Sequence, residues 1–318
     1  MNSIVLSALL PVVALIAFGF LLGRARWLAP SLVKQLSNLA FLLLTPVLLF
    51  RTMSKVHVEQ LDLKPAAAYI LALALVFAGT LAWRGMSRGA AVLALAATYS
   101  NAVMIGIPLV GLAWGDVGLV TLFTLIPIHS LLLLTTATVV LEFVLAHEEV
   151  ATTGDMAARL VRVAGRALRK ALLHPVPLPI IAGLLFAQTG LLIPAWLDQP
   201  MRWLGSAFGP LALVLVGISL GGAAIGAQLH AALLLTGMKN LLLPALAALL
   251  GWMLGMRGLS LTVMVVTAAL PIGANVFMFS QRYRVAEELV TASVAVSTVL
   301  AVVTVSVVMM LMGLATQL

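Results

Sequence analysis

Two stretches of this chain combine residue types that can bind a small polar solute where water is scarce. The first reads Tyr99-Ser100-Asn101-Ala102-Val103-Met104-Ile105-Gly106-Ile107-Pro108, the second Ala269-Leu270-Pro271-Ile272-Gly273-Ala274-Asn275. Each sets a proline two residues from a glycine, with an asparagine nearby. Proline removes one helical hydrogen bond and clashes with the preceding turn, while glycine adds backbone freedom. Breaks are therefore expected near Pro108 and near Pro271. A break frees amide and carbonyl groups, which lipid tolerates only around a protein-enclosed or watery cavity. Either proline alone reads as an ordinary kink, but paired breaks at matching places point to a binding site at mid-membrane. Asn101, Gly106, Pro108, Pro271, Gly273 and Asn275 are thus the candidate binding residues. An asparagine amide offers two donors and an acceptor without burying a charge. As mere packing groups the two asparagines would be interhelical glue worth about 1 kcal/mol.

Two further residues carry chemistry. Lys239 stands inside an apolar segment, where it would be either an anion's counter-charge facing a cavity or a side chain snorkelling to the inner surface. His129, beside Pro127, is a proton relay or a buried hydrogen-bonding residue. No enzymatic constellation accompanies them. The chain has no HExxH, CxxC or GxSxG pattern and no Gly-rich loop ending in Lys-Ser or Lys-Thr, and its acidic residues sit almost entirely in loops or at helix ends. With no cysteine there is neither a disulfide framework nor a thiolate metal site.

The elements that position these residues follow from composition. Of 318 residues, 63% are hydrophobic and 9% charged, against roughly 45–50% apolar usage in soluble domains. The long Leu/Ala/Val runs do not alternate as barrel strands would, so the fold class is an all-α polytopic membrane protein. Ten segments approach the length of a spanning helix: 3–23, 31–50, 65–83, 89–114, 118–141, 175–192, 204–222, 231–254, 259–281 and 285–312. The first reads as a span and not as a removable signal peptide. Between the fifth and sixth, residues 142–174 place Arg159, Arg162, Arg166, Arg169 and Lys170 at spacings of three or four, which reads either as a basic amphipathic helix at the headgroups or as a solvated linker.

Charge sets the orientation. Arg24, Arg26, Arg84, Arg88, the five basic residues of the central loop, Arg282 and Arg284 share one side, while Arg51, Lys55, Lys64, Arg202 and Arg257 share the other. The positive-inside rule puts both termini outside and the central loop in the cytoplasm, and it explains the net charge of +8 without nucleic acid. At one offset of 164, Pro11, Gly19, Pro30 and Pro46 fall on Pro175, Gly183, Pro194 and Pro210, and at 163 Pro108 falls on Pro271. Five helices per half make the second copy enter upside down, a five-plus-five inverted repeat with two broken crossing helices.

With these features the chain resembles the auxin efflux carrier family, part of a wider group that includes the bile acid:sodium symporters. The likeness spans the chain and is most specific at Asn101 with Gly106-Ile107-Pro108, matched by Pro271 and Asn275. The short central loop is similar to that of prokaryotic members. The resemblance implies a scaffold bundle of helices 1, 2, 6 and 7 (residues 1–60 and 175–228) and a transport bundle of helices 3–5 and 8–10 (61–141 and 229–318), joined by the loop 142–174. It further implies a secondary transporter in the cell membrane. The cargo would be a small organic anion, a carboxylate or an auxin-like acid, moved by elevator-like alternating access. No cofactor is implied, the coupling ion (H⁺, Na⁺ or none) stays open, and a homodimer through the scaffold helices is consistent with the family. Two alternatives remain: a sodium-coupled bile-acid-type symporter, and a non-transporting receptor or scaffold on the same fold. That no Asp or Glu stands beside Pro108 or Pro271 counts against sodium coupling.

Overall fold

The computed structural model describes residues 2–56, 62–148, 165, 176–222 and 226–315. Among these the chain is helical throughout, apart from turns and one isolated pairing of extended residues. In order come α1 (Asn2–Arg24), α2 (Pro30–Met53), α3 (Lys64–Arg84), α4 (Arg88–Thr98) and α5 (Ile107–Glu148). Then follow α6 (Pro177–Gln188), α7 (Ala195–Gly221), α8 (Leu229–Met253), α9 (Gly258–Ala269), α10 (Ala274–Tyr283) and α11 (Glu287–Ala315). Six runs among them are long and apolar enough to cross a membrane. The basic segment expected within 142–174 lies almost wholly outside the described residues, except that α5 continues to Glu148.

One of the six runs contains a reversal. Gly115, at φ 60° and ψ −152°, interrupts α5 in a backbone region that glycine tolerates. Leu119 then packs back within 3.7 Å of where a Gly111 side chain would begin, although residues eight apart on a straight helix are about 12 Å apart.

Prolines act here in two different ways. Pro46, Pro108 and Pro244 each follow a widened π turn, at Ala40–Leu44, Ala102–Gly106 and Met238–Leu242. Just before each proline an amide reaches five residues back, as Ile107 N does to Ala102 O. The wider turn moves away the carbonyl that the ring would strike, so the helix bends instead of breaking. The break expected near Pro108 is therefore absent there: it lies about two turns earlier, at residues 99–101. Pro271 does sit in a break. Leu270 before it is extended (φ −58°, ψ 151°), as the pyrrolidine ring requires of its predecessor. Pro108 and Pro271, matched by offset, thus occupy different local structures, and so do Pro46 and Pro210, the latter inside a continuous α7.

Backbones meet where side chains are smallest. Gly19 and Gly23 of α1 face Gly217 and Gly221 of α7, so closely that a Cβ on Gly19 would lie 2.1 Å from Val214 O and one on Gly217 2.1 Å from Ile16 O. Small residues four apart on both helices permit this approach. In the same manner Gly183 of α6 meets α2, its would-be Cβ 2.7 Å from Phe50 O. Arg51 of α2 and Asp198 of α7 form a two-pronged ion pair at 2.8 and 2.9 Å. Large apolar side chains such as Leu185, Trp196, Leu234 and Leu311 face outward, whereas Ser100, His129, Lys239 and Asn240 are buried. That inversion suits a chain whose solvent is lipid.

Candidate functional site

Ser87 caps the start of α4 by accepting from Ala90 N at 3.1 Å, and the helix ends at Tyr99, which turns extended (φ −80°, ψ 109°). Asn101 then forms the centre of a tight turn (φ −75°, ψ 57°), with Ala102 N donating to Ser100 O at 2.8 Å; these are the dihedrals of an inverse γ-turn. Its carbonyl also accepts from Ile105 N and Gly106 N, which opens the π turn ahead of Pro108.

The two breaks satisfy each other. Ser100 and Ile272 pair antiparallel, with Asn101 N donating to Pro271 O at 2.8 Å and Gly273 N to Tyr99 O at 2.9 Å. Because extended residues alternate in direction, the remaining groups point the other way: Leu270 O toward Lys239 and Ile272 N toward Ser297 Oγ, 3.1 Å away. These freed backbone groups are thus paired, as a low-dielectric interior demands. Gly273 is required for the approach, since a Cβ there would lie 2.8 Å from the Tyr99 ring and 3.1 Å from Ser100 O.

His129 fixes the first break from α5. Ser100 N donates to His129 Nε2 at 3.2 Å, so that nitrogen is the unprotonated one, and Nδ1 faces the Tyr69 hydroxyl at 3.2 Å. Tyr69 in turn reaches Ser100 Oγ at 3.2 Å. The imidazole also lies between two aromatic rings, stacked with Tyr69 and tilted against Tyr99. Both ring nitrogens are engaged, one by Ser100 N and the other by the Tyr69 hydroxyl.

A small cavity opens beside the crossing. Its polar lining comes from Tyr99, Ser100, Asn101, His129, Ser130 and Asn275, and Phe41 of α2 also lines it. Ala102–Met104 and Gly273–Asn275 also line it, the first turns of the two half-helices that follow the breaks. First-turn amides have no acceptor within their own helix, and the helix dipole adds partial positive charge at that end. Two helix N-termini therefore converge on one space. Asn275 Nδ2 donates to the Tyr99 hydroxyl at 2.8 Å, which contacts Ser130 Oγ at 3.0 Å.

The six break-associated candidates divide accordingly. Asn101, Gly273 and Asn275 line the cavity, whereas Pro271 serves the crossing behind it. Gly106 does not reach the cavity; it makes room for Leu270, whose Cδ1 would lie 2.7 Å from a Cβ there. Pro108 packs toward Gly209 of α7. Lys239 neither faces the cavity nor snorkels. It is fully buried in the π turn of α8, and its Nζ donates to Ala268 O and Leu270 O, each at 2.6 Å. Sequence reasoning missed Tyr99 and Ser130 as cavity groups, although each directly neighbours a residue of the crossing in the chain.

Comparison with known proteins identifies the family. A relative from Rhizobium meliloti (strain 1021), named "Putative malonate transporter", is 27% identical over 310 residues, covering 93% of this chain and 92% of its own. A family model described as "Membrane transport protein" matches residues 4–309. The chain is accordingly a multi-pass transporter and not an enzyme, and it belongs to the membrane transport protein family of auxin efflux carriers.

Proposed function

We propose that this protein is a carrier for small organic anions of the dicarboxylate class, with malonate as the first substrate to test. The observation that carries this reading is the convergence of two half-helix N-termini and two asparagine amides on one cavity, with no carboxylate among the described residues of its lining. Such a site offers donors and partial positive charge while burying no unpaired cation against the solute. The relative's printed name supports malonate.

The architecture proposed for transport is the ten-span, five-plus-five inverted repeat, with α4 and the first part of α5 forming the fourth span and α9 with α10 the ninth. Helices α1, α2, α6 and α7 make the static bundle, and the rest move with the cargo in elevator fashion. Reciprocal packing supports this, since α1 rests on α7 through Gly19 while α6 rests on α2 through Gly183. Both termini lie outside the cell membrane, and a homodimer forms through the static bundle.

The test is uptake of labelled malonate, succinate and indole acetate into proteoliposomes, with affinity measured in detergent for Asn101→Asp and Asn275→Asp. Each substitution keeps size and replaces donors with a negative charge. Malonate flux that falls sharply in both variants while folding persists is the expected result. Unchanged affinity in both, or no carboxylate flux in the parent, refutes the site or the function respectively.

A further inference from the structure

The first half of α2 has three flanks of different character. Val33, Leu36 and Ala40, spaced three and four apart, join the apolar core to which α7 also contributes. Leu32, Leu39 and Leu43, spaced seven and four apart, form an exposed and wholly apolar flank, as a face turned to lipid requires. The third flank is polar. Lys34 and Asn38 are exposed, and they stand seven and three residues before Phe41, so all three share one face. Ser31 and Gln35, also exposed, continue that flank, and Phe41 lines the cavity at the crossing. Lys34 forms no ion pair, and the Asn38 side chain no hydrogen bond, with any described residue. Lys34 taken alone would reach the headgroups along its own stem. Asn38 would not. It lies eight residues beyond Pro30, about 12 Å along the axis, and in hydrocarbon its short amide would leave two donors and an acceptor unmet. A polar flank at this depth that runs on into the cavity wall is wetted together with the cavity.

We propose that the Lys34–Asn38 flank is one wall of the passage by which the anion reaches the cavity from the side on which α2 begins, with Lys34 the first cation it meets. This rests on the anion-carrier reading above. Lys34 meets the solute in water at the mouth, so it attracts a dicarboxylate without the cost of burying a cation. One turn further in, Asn38 offers its amide. Phe41 ends the flank, where the cavity asparagines and half-helix N-termini take over. Attraction at the mouth speeds arrival and leaves the crossing unchanged, so Lys34 governs KM and its salt dependence and not kcat.

Two arms test it. In the first, Asn38→Cys and Leu39→Cys are made in this cysteine-free chain, reconstituted, and exposed on both faces of the bilayer to an anionic methanethiosulfonate reagent. Asn38→Cys should react, more slowly with malonate present, and Leu39→Cys should not. In the second, malonate uptake is measured in inside-out and right-side-out vesicles for Lys34→Gln and Lys34→Arg. Lys34→Gln should raise KM about fivefold at low salt in one vesicle type only, the scale of one charge acting on a dianion about 8 Å away in water. The difference should shrink above about 0.15 M salt, with kcat unchanged and Lys34→Arg matching the parent. A folded Asn38→Cys protein that reacts no faster than Leu39→Cys overturns the proposal. So does a Lys34→Gln KM equal to the parent's at low salt in both vesicle types, an arm that stands even if Asn38→Cys does not fold. If the parent moves no carboxylate at all, it is the anion-carrier reading that fails, and the labelling arm still decides whether the flank is wet.

Discussion

Substituting Gly217 by alanine tests whether the α1–α7 contact holds the molecule together. The added methyl would meet Ile16 O at 2.1 Å, Phe20 N at 2.7 Å and Gly19 Cα at 2.8 Å, all backbone atoms that cannot rotate aside. Restoring an ordinary separation of 3.4 Å requires α1 and α7 to part by about 1.3 Å, a misfit that in packed interiors costs roughly 1–3 kcal/mol. Separation also weakens the close Cα–H contacts along the seam, each worth about 0.5–1 kcal/mol. Alanine gains back roughly 0.5–1 kcal/mol of helix propensity, so the net effect is a loss. Gly79 of α3 is the control, because a Cβ there meets nothing within 4 Å, and its alanine variant should show only the propensity gain. Thermal denaturation of both variants in one detergent, followed by size exclusion, reads the difference. Gly217→Ala melting at or above Gly79→Ala would refute the packing argument.

Other outcomes follow from the same geometry. Gly19→Leu should lower folded yield more than it changes substrate preference, measured by fluorescence-detected size exclusion and competition binding. Tyr99→Phe removes the acceptor of the Asn275 amide, and about 1 kcal/mol of hydrogen-bond energy implies a roughly fivefold weaker malonate Kd. Combined with Asn275→Ala it should cost less than the sum of the two, and an additive double-mutant cycle would show that the contact plays no part in binding. Gly273→Ala should disturb the crossing more than Gly106→Ala, since it strikes a backbone oxygen and a ring while Gly106→Ala meets the end of a leucine. For topology, a cysteine replacing Thr189 should react with an impermeant maleimide in intact cells and one replacing Thr153 should not; the reverse pattern inverts the assignment.

What could be read in the sequence was what depends on local chemistry. Apolar length located the helices, and the asparagines beside the prolines marked the region of the cavity. The ninth-segment break appeared at Pro271 because the residue before a proline must be extended, a rule that acts between neighbours. The fourth-segment break was misplaced because nothing local causes it. No proline stands at residues 99–101; the unwound backbone persists because Pro271, Gly273 and His129, all distant in the chain, meet its polar groups. Pro108 drew attention there, yet a widened turn relieves its clash. Lys239 was undecidable for a related reason, since both readings of it assumed that water or a solute would meet the charge, and backbone carbonyls from a different helix meet it instead.

The two breaks are alike in backbone and unlike in chemistry. Each contributes one extended strand to the crossing and one helix N-terminus to the cavity, so the backbone supplies its partial positive charge twice. The side chains that hold the two extended segments differ in kind. On the α4 side the support is His129, whose Nε2 accepts a hydrogen bond from Ser100 N. On the α9 side the supports are Ser297, accepting from Ile272 N, and Lys239, donating to two carbonyls. A lysine thus supports this site from one half only, and from behind. A buried nitrogen without partners would be costly, and here two carbonyls meet it.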